Sequence, residues 1–533
     1  MTNSTNNPYS TENLVSKNWS LIDGSQTEQS LNLEADVVIV GTGAGGGISA
    51  EILSKSGLKV IMIEEGPLRH SDHFNMLEKE AYPDLYQESA ARKTADKAIS
   101  IMQGRAVGGS TTVNWTSSFR TPTQTLNHWQ KEHNVQGLST EQMTPWFEWV
   151  EKRLNIHTWP VPPNPNNQML QDGLTALGWE SKIIPRNVSG CANLGYCGMG
   201  CPINAKQSML VSTIPTALDH QATLISRVRV EKLIFSDDKV SGVELRLINN
   251  QGQLRNLNGG TIKAKHVILS AGAIGTPAIM LRSKTPDPYN LVGKRTFIHP
   301  VNVTAAIYDQ AIHPFSGAPQ SVYSDQFLWP DEKQIGFKLE VPPMHPVLTS
   351  TMLNGFGEKH AQVFSELPKT NATLALLRDG FHEQSQGGEV KLDNNLYPVL
   401  DYPITELLWA GFKKSYQVMM EVQFAAGAKK VIPMHRDAVF VDSWKKAQQM
   451  LEQLPLKELR AKILTAHLMG GAPLGSDPKS SVVNNDHYHH QLEGLSIIDG
   501  SVFPTSLGVN PQLTIYAMSA RAATTLSEKL TKN

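Results

Sequence analysis

The first strong pattern along the chain is a run over 35–40 that is apolar except for Asp36, which is typical of a strand buried on both faces of a parallel sheet. A glycine-rich segment over 41–47 ends this run. Apolar residues then recur at helical spacing over 48–56, and Gly57 is placed to end that helix. A second apolar run follows over 58–63. The pattern therefore predicts a strand, a helix and a second strand that pack as one unit.

Later segments contain further apolar runs, whereas the middle of the chain has a different pattern. Residues 265–270 and 494–500 have the character of buried strands, and 512–532 predicts a long final helix. Between 301 and 455, scattered Pro and aromatic residues accompany short alternating segments such as 388–393. Alternation of this kind is typical of antiparallel sheets. We therefore expect an antiparallel sheet with helices in the middle of the chain.

The composition is that of a globular and nearly neutral protein. Lys and Arg number 48 against 49 Asp and Glu in 533 residues, so no bulk field recruits nucleic acid or anionic lipid. Three cysteines cannot form a disulfide framework and favour a reducing compartment. The chain has no secretory start and no apolar stretch of the ~18–20 residues that a membrane helix needs. We expect a soluble cytoplasmic protein without a nucleic-acid partner, whose membrane contact is at most peripheral.

The glycine-rich segment has the spacing GxGxxG at Gly41, Gly43 and Gly46. In such a turn the first glycine permits the bend, the second lets the backbone approach a pyrophosphate, and the third lets the helix pack on the strand. Glu64 ends the next strand, where a carboxylate can accept hydrogen bonds from a ribose. The strand before the turn and the helix after it favour a dinucleotide site over a merely structural turn. The spacing does not separate FAD from NAD.

This turn and four further segments resemble the glucose-methanol-choline (GMC) flavoprotein oxidoreductases, in the same order along the chain. The four segments are 104–114, 270–283, 293–300 and 499–514. The resemblance extends from residue 36 to residue 523 and implies bound FAD. Some members link the flavin covalently through histidine, but no histidine lies between Gly104 and Pro122. We therefore expect the FAD to be non-covalent.

By this resemblance, the FAD site is assembled from segments that lie far apart in the chain. The implied cofactor-binding residues are Gly41, Gly43, Gly46, Glu64, Arg105, Gly108, Gly109, Ser110, Asn114, Val230, Ala271, Gly272, Asp499, Asn510 and Pro511. Backbone amides and small side chains of the segment over 104–114 would meet the pyrophosphate and the flavin. The last segment would form the flavin-contacting end of the fold.

Oxidation of an alcohol removes a hydride from carbon and a proton from oxygen, so the site needs a hydride acceptor and a base. A neutral imidazole suits the base role because its ordinary pKa of about 6.5 lies near neutral pH. The residues alone do not choose among 17 histidines. The resemblance implies that His467 accepts the hydroxyl proton, that Asn510 and His467 orient the oxygen, and that the hydride passes to the flavin N5. The amide of Asn510 can donate to the substrate oxygen without competing for its proton.

Asn510 also bears on the substrate, because many GMC members have a second histidine at this position. The asparagine resembles cholesterol oxidases and long-chain alcohol oxidases, and the cysteine-containing stretch 191–208 resembles the latter. These likenesses imply oxidation of a long-chain aliphatic primary alcohol to the aldehyde, with a sterol oxidase as the alternative. The fold also hosts hydroxynitrile lyases and fatty-acid photodecarboxylases, so non-redox or light-driven chemistry stays open, as does a protein that binds FAD only structurally. Oxygen, a quinone or an electron-transfer protein could reoxidise the flavin.

The remaining candidates are interpreted as structural. The three thiols, which have no partner CxxC for a metal site, indicate a compact loop or one oxidisable pair at Cys191, Cys197 and Cys201. The polar segment 487–490, with three histidines, is typical of a solvated surface and lacks the carboxylates of a metal centre, so we expect no metal. Glu340 is interpreted as an ordinary strand-end residue, with an active-site carboxylate as the alternative. His299 is interpreted as structural.

Together these patterns and the resemblance predict an α/β fold, α+β overall. A Rossmann-like FAD-binding domain would carry a substrate-binding cap domain built on an antiparallel sheet. The expected division is a polar N-terminal leader over 1–34, a discontinuous FAD-binding domain over 35–125, 200–300 and 460–533, and the cap over 126–199 and 301–459.

Overall fold

The computed structural model describes residues 7–331 and 333–532 of the chain. Two large sheets organise these residues, and smaller sheets and helices cover and connect them. This mixture of a largely parallel sheet and a largely antiparallel sheet confirms the predicted fold class. Over the same residues, no helix combines the length and the apolar character that crossing a membrane requires.

The first sheet is parallel over most of its width. Its strands are β1 (Ser20–Asp23), β2 (Leu31–Val40), β3 (Val60–Ile63), β8 (Thr223–Ser226), β9 (Val228–Ser236), β10 (Lys239–Ile248), β11 (Leu254–Leu269) and β22 (Leu495–Ile497). They run in the order β1-β8-β3-β2-β11-β10-β9, and β22 pairs in parallel with β11. Only the β11-β10-β9 edge is antiparallel. The apolar runs over 35–40 and 58–63 thus lie side by side at the centre of the sheet, as their pattern predicts.

The second sheet is largely antiparallel and comes mainly from the middle of the chain. Its strands are β4 (Ile99–Ile101), β6 (Lys182–Ile183), β13 (Val301–Ile307), β14 (Val322–Ser324), β15 (Phe337–Glu340), β16 (Thr370–Leu377), β19 (Lys430–Pro433) and β20 (Ile463–Thr465). The order is β4-β20-β13-β16-β15-β14-β6, and β19 also pairs with β13. The exception is the β4-β20 pair, which is parallel. Both strands come from segments assigned above to the FAD-binding domain, and the domain boundaries themselves stay a prediction.

Two small sheets join the large ones. One contains β12 (Lys294–Phe297), β17 (Gly388–Leu392), β18 (Pro398–Asp401) and β21 (Met469–Gly470), and the other pairs β5 (Ile156–Thr158) with β7 (Pro185–Asn187). The alternating segment over 388–393 is therefore a strand, but it lies outside the second large sheet. In the same sheet, the pairing of β12 with β21 places the chain just before His299 beside the chain just after His467.

Helices cover both sheets. They are α1 (Thr11–Lys17), α2 (Ala44–Lys55), α3 (Glu78–Leu85), α4 (Thr123–His133), α5 (Thr140–Arg153), α6 (Pro165–Ala176), α7 (Thr213–Asp219), α8 (Gly272–Ser283), α9 (Pro346–Met352), α10 (Gly357–Ser365), α11 (Glu406–Ala425), α12 (Trp444–Gln453) and α13 (Gln512–Thr531). The long final helix, α13, packs on α2 and α5. The polar leader contributes α1 and β1, and its Tyr9 is buried, so its polar composition does not mean an absence of structure.

Candidate active site

The turn between β2 and α2 has the geometry of a dinucleotide cradle. A Cβ atom on Gly41, whose φ is +98°, would lie 2.3 Å from the carbonyl oxygen of Ser270, and one on Gly46 would lie 1.9 Å from that of Gly41. A Cβ on Gly43 would meet nothing closer than 3.8 Å. The first and third glycines are thus required by backbone packing, whereas the second borders open space in which a pyrophosphate could approach.

Glu64 follows β3 and organises this turn. Its Oε2 accepts hydrogen bonds from the amide and hydroxyl of Thr42 at 3.1 and 2.8 Å, and its Oε1 accepts one from the Gly66 amide at 3.0 Å. Burial raises the pKa of this carboxyl, and the three hydrogen bonds act against that shift. A carboxylate offers about four acceptor positions, so capacity remains for a ribose hydroxyl.

The segment over 104–114 lies against the glycine turn. Gly108 and Gly109 have φ of +88° and +54°, and the Gly108 amide donates to the hydroxyl of Thr42 at 2.9 Å. A Cβ on Gly109 would lie 2.7 Å from Cα of Gly43, so position 109 needs glycine for this contact. Ser110 accepts a hydrogen bond from the Gly104 amide at 3.0 Å. Two loops that are distant in sequence therefore form one wall.

Arg105 and Val230 line the same cavity at the edge of the first sheet. The guanidinium of Arg105 lies 3.2 Å from a carboxylate oxygen of Glu65 and 3.2 Å from the carbonyl of Gly252. The carbonyl of Val230 accepts from Arg282 at 3.3 Å. The cation of Arg105 is thus committed to protein partners, which fixes its position along the cavity wall.

Asp499 connects the start of α8 to the segment over 499–514. Its Oδ2 accepts from the Gly272 amide at 2.8 Å and from the Thr276 hydroxyl at 2.6 Å, while Oδ1 accepts from the amide and hydroxyl of Ser501. Burial raises the pKa of Asp499 against these bonds. The amide of neighbouring Ala271 donates to the Thr276 hydroxyl at 3.1 Å. Asp499 therefore holds the backbone in place at Gly272 and Ser501.

The N-terminus of α13 also faces the cavity. Pro511 caps this helix, and Gln512 begins it. Gln512 accepts from Asn114 at 2.5 Å and donates to the carbonyl of Ser117 at 2.8 Å, so it ties the helix start to the segment over 104–114. The sequence analysis missed Gln512. A helix N-terminus favours negative charge, and Pro511 at this position is the signal that marks it in the sequence.

A cavity of about 1270 Å³ extends from the glycine turn, Glu64 and the start of α13 to the second sheet. Apolar side chains form much of its wall beyond the glycine loops. They come from β13, β16, β20 and the α9–α10 region, and include Val301, Val303, Leu374, Leu376, Ile463, Leu348, Met352, Val363 and Phe364. Small-molecule pockets usually occupy about 300–1,000 Å³, so the space accommodates a large cofactor together with a second molecule.

His467 and Asn510 both line this cavity. His467 follows β20, and its amide donates to the hydroxyl of Thr465 at 3.2 Å. Burial lowers the pKa of His467 to about 3, and the nearby Lys338 ammonium adds to that shift. The imidazole is therefore neutral at neutral pH, which is the form that a base or a hydrogen-bonding group requires.

His299 belongs to the same cluster, although the sequence analysis interpreted it as structural. Its Nδ1 lies 3.2 Å from Nδ1 of His467, and its Nε2 accepts the amide hydrogen of Gly508 at 2.9 Å. Asp379 accepts hydrogen bonds from the amides of Ile298 and His299 at 3.0 and 3.1 Å. The two histidines are 168 positions apart, so no local pattern could have shown their contact.

Asn510 is held by a buried carboxylate that the sequence analysis interpreted as an ordinary strand-end residue. Glu340, at the end of β15, accepts at Oε2 from Nδ2 of Asn510 at 3.2 Å and from Gln320 at 2.7 Å. Its Oε1 lies 3.3 Å from Nζ of Lys338. Oδ1 of Asn510 has no hydrogen-bond partner among the described residues. One amide N–H is thus committed to Glu340, and the carbonyl oxygen is the atom left for a ligand.

The cysteine loop braces the segment over 104–114. The three thiols are free in the structure, and burial raises the pKa of Cys197. Lys206, just after the cysteines, donates to the carbonyls of Thr112, Asn114 and Cys197 at 2.5, 3.0 and 2.7 Å. The interpretation as a compact structural loop fits these contacts.

The interpretation of 487–490 as a solvated surface is wrong for two of its histidines. His487 and His489 are 1% and 6% exposed, and Nδ1 of His487 lies 2.8 Å from the carbonyl of Ile497 in β22. This segment packs on the first sheet, which its polar composition does not show. Over the described part of the chain, no group of three or more His, Cys, Asp or Glu side chains is placed to hold a metal ion.

Two kinds of known structure share this fold. Formate oxidase superposes with a TM-score of 0.67 at 15% identity over 95% of this chain and 99% of that one. Pyridoxine 4-oxidase from Mesorbium loti gives 0.66 at 15% identity over 92% and 98%. At these identities the likeness establishes the fold.

Comparison of sequences identifies relatives in addition to the fold. Long-chain-alcohol oxidase FAO4B of Arabidopsis thaliana is 27% identical over 525 residues, which span 93% of this chain and 68% of the relative. A GMC-type oxidoreductase of Sinorhizobium fredii is 27% identical over 503 residues, or 94% and 96% of the two chains. Two family models, both described as GMC oxidoreductase, match residues 82–301 and 384–519, which is more than half of the chain. The chain therefore belongs to the GMC oxidoreductase family and is an FAD-dependent oxidoreductase that acts on alcohols.

Proposed function

We propose that the protein oxidises long-chain aliphatic primary alcohols to aldehydes. The observation that carries this proposal is the continuity of the cavity, which runs from the glycine loops past His467 and Asn510 into an apolar space along β13 and β16. An alkyl chain gains about 0.8 kcal/mol for each buried methylene, so an apolar wall of this extent favours a long chain. Relatives named long-chain-alcohol oxidases match more than 90% of the chain, which supports the same substrate class.

FAD would be held by the glycine turn, the segment over 104–114 and the start of α13. The open side of Gly43 fits a pyrophosphate, and Glu64 retains an acceptor position for a ribose. Bound FAD would supply the acceptor for the hydride that leaves the alcohol carbon. We propose that it is bound without a covalent link, because His467 is the one histidine among the described residues that line the cavity, and no cysteine among them lines it.

His467 and Asn510 would hold the hydroxyl group of the alcohol. The unpartnered Oδ1 of Asn510, a residue that is 5% exposed, can accept the hydroxyl hydrogen, which removes the cost of leaving that oxygen unpaired. His467 provides the imidazole that takes the hydroxyl proton when the carbon loses its hydride. The apolar side chains of the second sheet that line the cavity would limit the access of water to these two residues.

The electron acceptor that completes the cycle stays a proposal. Oxygen is our first candidate because the long-chain relatives are named oxidases, and a quinone or an electron-transfer protein is the alternative. The cytoplasmic location and a peripheral membrane contact likewise stay predictions.

The test is the substitution His467→Ala with FAD retained, assayed with dodecanol and with cholesterol. We expect wild-type protein to prefer dodecanol and the variant to lose about 10²–10⁴-fold in turnover, the usual range for a lost general base. His157→Ala, at an exposed histidine of β5, is the matched control and should leave turnover unchanged. Turnover near wild type in His467→Ala would refute the role of His467, and preference for cholesterol would refute the aliphatic substrate.

A further inference from the structure

The contact between His299 and His467 determines where each ring carries its proton. We propose that His299 is a positioning residue that holds His467 in the tautomer with its proton on Nε2. The inference rests on the proposed function, since it specifies what His467 presents to the alcohol. It concerns protons on protein atoms, so it can be tested apart from turnover.

The backbone amide of Gly508 can only donate a hydrogen bond. It donates to Nε2 of His299 at 2.9 Å, so this nitrogen carries no proton. A neutral imidazole has one N–H, and that proton must therefore be on Nδ1 of His299. This N–H points to the nitrogen 3.2 Å away, Nδ1 of His467, which accepts it. The remaining proton of His467 is then on Nε2.

Both rings must be neutral for this reasoning, and their surroundings ensure it. His299 is 1% exposed, and burial holds its pKa well below the ordinary value of histidine. The charged side chains that affect the pair are Lys338 and Arg378, both cations that oppose a further positive charge. No carboxylate accepts a hydrogen bond from either ring among the described residues, so no partner favours an imidazolium.

The backbone holds His299 in place for this contact. Its φ is +42°, a left-handed conformation that a side chain rarely adopts without support. The support is Asp379, which accepts from the amides of Ile298 and His299 and from the hydroxyl of Tyr402 at 2.8 Å. The position of the ring is therefore set by a buried carboxylate on the neighbouring strand end.

The consequence for catalysis is a division of roles at the hydroxyl group. In the resting tautomer, His467 donates its Nε2 hydrogen to the alcohol oxygen, while Oδ1 of Asn510 can accept the hydroxyl hydrogen. To take that proton, His467 needs its own proton on Nδ1. The contact with His299 opposes that form, because the Nδ1–H of His299 already occupies Nδ1 of His467 and the bond from Gly508 keeps the His299 proton on Nδ1. His299 thus limits the fraction of molecules in the proton-accepting form.

The test uses His299→Asn and His299→Asp, whose new side chains have nearly the same shape as each other. Asparagine and aspartate both tolerate the left-handed backbone conformation. The asparagine amide can still donate to Nδ1 of His467, whereas the aspartate carboxylate can only accept and therefore draws the proton of His467 to Nδ1. Holoenzyme labelled with ¹⁵N in the histidine rings would report the tautomer by NMR. The signals of His467 are those that vanish in His467→Gln.

We expect His467 to be protonated at Nε2 in the wild type and in His299→Asn, and at Nδ1 in His299→Asp. A wild-type signal with the proton on Nδ1 would overturn the inference, as would an unchanged tautomer in a folded His299→Asp. If the aspartate variant does not fold, the wild-type signal decides alone.

Kinetics give a second measure that separates this inference from the proposed function. Loss of the Nε2 donor in His299→Asp should raise KM for dodecanol about five- to tenfold, whereas His299→Asn should keep it near wild type. An equal KM increase in both variants would mean that His299 acts only by packing. If no alcohol is oxidised by the wild type, the proposed function fails while the NMR result still tests the tautomer.

Discussion

At the scale of single residues, the orientation of Asn510 depends on an ion pair removed from water. The side chains of Lys338 and Glu340 are 1% and 0% exposed and lie on one face of β15. Burial lowers the pKa of Lys338 to about 8, and the Glu340 carboxylate acts against that shift. The ring centroid of Phe119 lies 2.9 Å from the ammonium, which adds a cation–π contact. Glu340 therefore balances one charge while it accepts from Asn510.

This arrangement predicts that Glu340→Gln harms stability and turnover by separable routes. The variant leaves the Lys338 ammonium buried without its partner, which typically costs about 3–5 kcal/mol. It also removes the carboxylate that orients the Asn510 amide, and we expect turnover to fall about tenfold to a hundredfold. Thermal unfolding at one fixed FAD concentration and dodecanol turnover measure the two effects.

The double variant Lys338→Met with Glu340→Gln is the control for that prediction. Replacing a whole buried ion pair is often neutral, so much of the lost stability should return. Turnover should stay low, because a neutral amide at position 340 accepts the Asn510 N–H more weakly than the carboxylate does. Recovery of turnover together with stability would show that Glu340 acts on the fold and not on Asn510.

At the scale of elements, the paired strands β13 and β16 form a wall that extends away from the histidines. Val301 follows His299 by two positions and pairs with Leu376, while Ala305 pairs with Ala372 farther along the strands. Four strand residues span about 13 Å, so Ala372 marks a depth in the cavity well beyond the hydroxyl group. Both alanines line the cavity. Their small side chains leave space for a long chain.

Ala372→Phe should therefore shorten the range of alcohols that the enzyme accepts. We expect kcat/KM for dodecanol to fall at least about tenfold, because a phenyl ring occupies the space that the end of the chain requires, while butanol keeps its wild-type value. Ala361→Phe makes the same change on the exposed face of α10 and should affect neither alcohol. An equal loss for butanol and dodecanol would place the alkyl chain elsewhere.

The elements also show what sequence could predict. The β2-α2-β3 unit and α13 follow from local spacing, because each is decided by a few neighbouring residues. The placement of His467 and Asn510 at the cavity came from the matched motifs. The contacts of His299 with His467 and of Glu340 with Asn510 could not be predicted, because each joins residues about 170 positions apart through the pairing of separate strands. Burial of His487 was missed for another reason: its segment is polar in composition, although it packs on β22 only ten positions away.

At the scale of the whole molecule, function depends on one cavity that two sheets share. The parallel sheet provides the glycine turn and Glu64, and the antiparallel sheet provides the apolar wall. His467 follows β20 of the second sheet, while Asn510 precedes α13, which packs on α2, a helix that contacts the first sheet. The reacting groups therefore lie where the two layers meet. Under the proposed function, one layer would hold FAD while the other would select the alcohol.

The most direct test of the central claim is the visible spectrum of the purified protein under anaerobic conditions, before and after addition of dodecanol. The account predicts a yellow flavin band that bleaches in wild-type protein and persists much longer in His467→Ala that has retained its FAD. A band that dodecanol leaves unchanged in the wild type would contradict oxidation of long-chain alcohols, and a purified protein without a flavin band would contradict the assignment of the cavity to FAD.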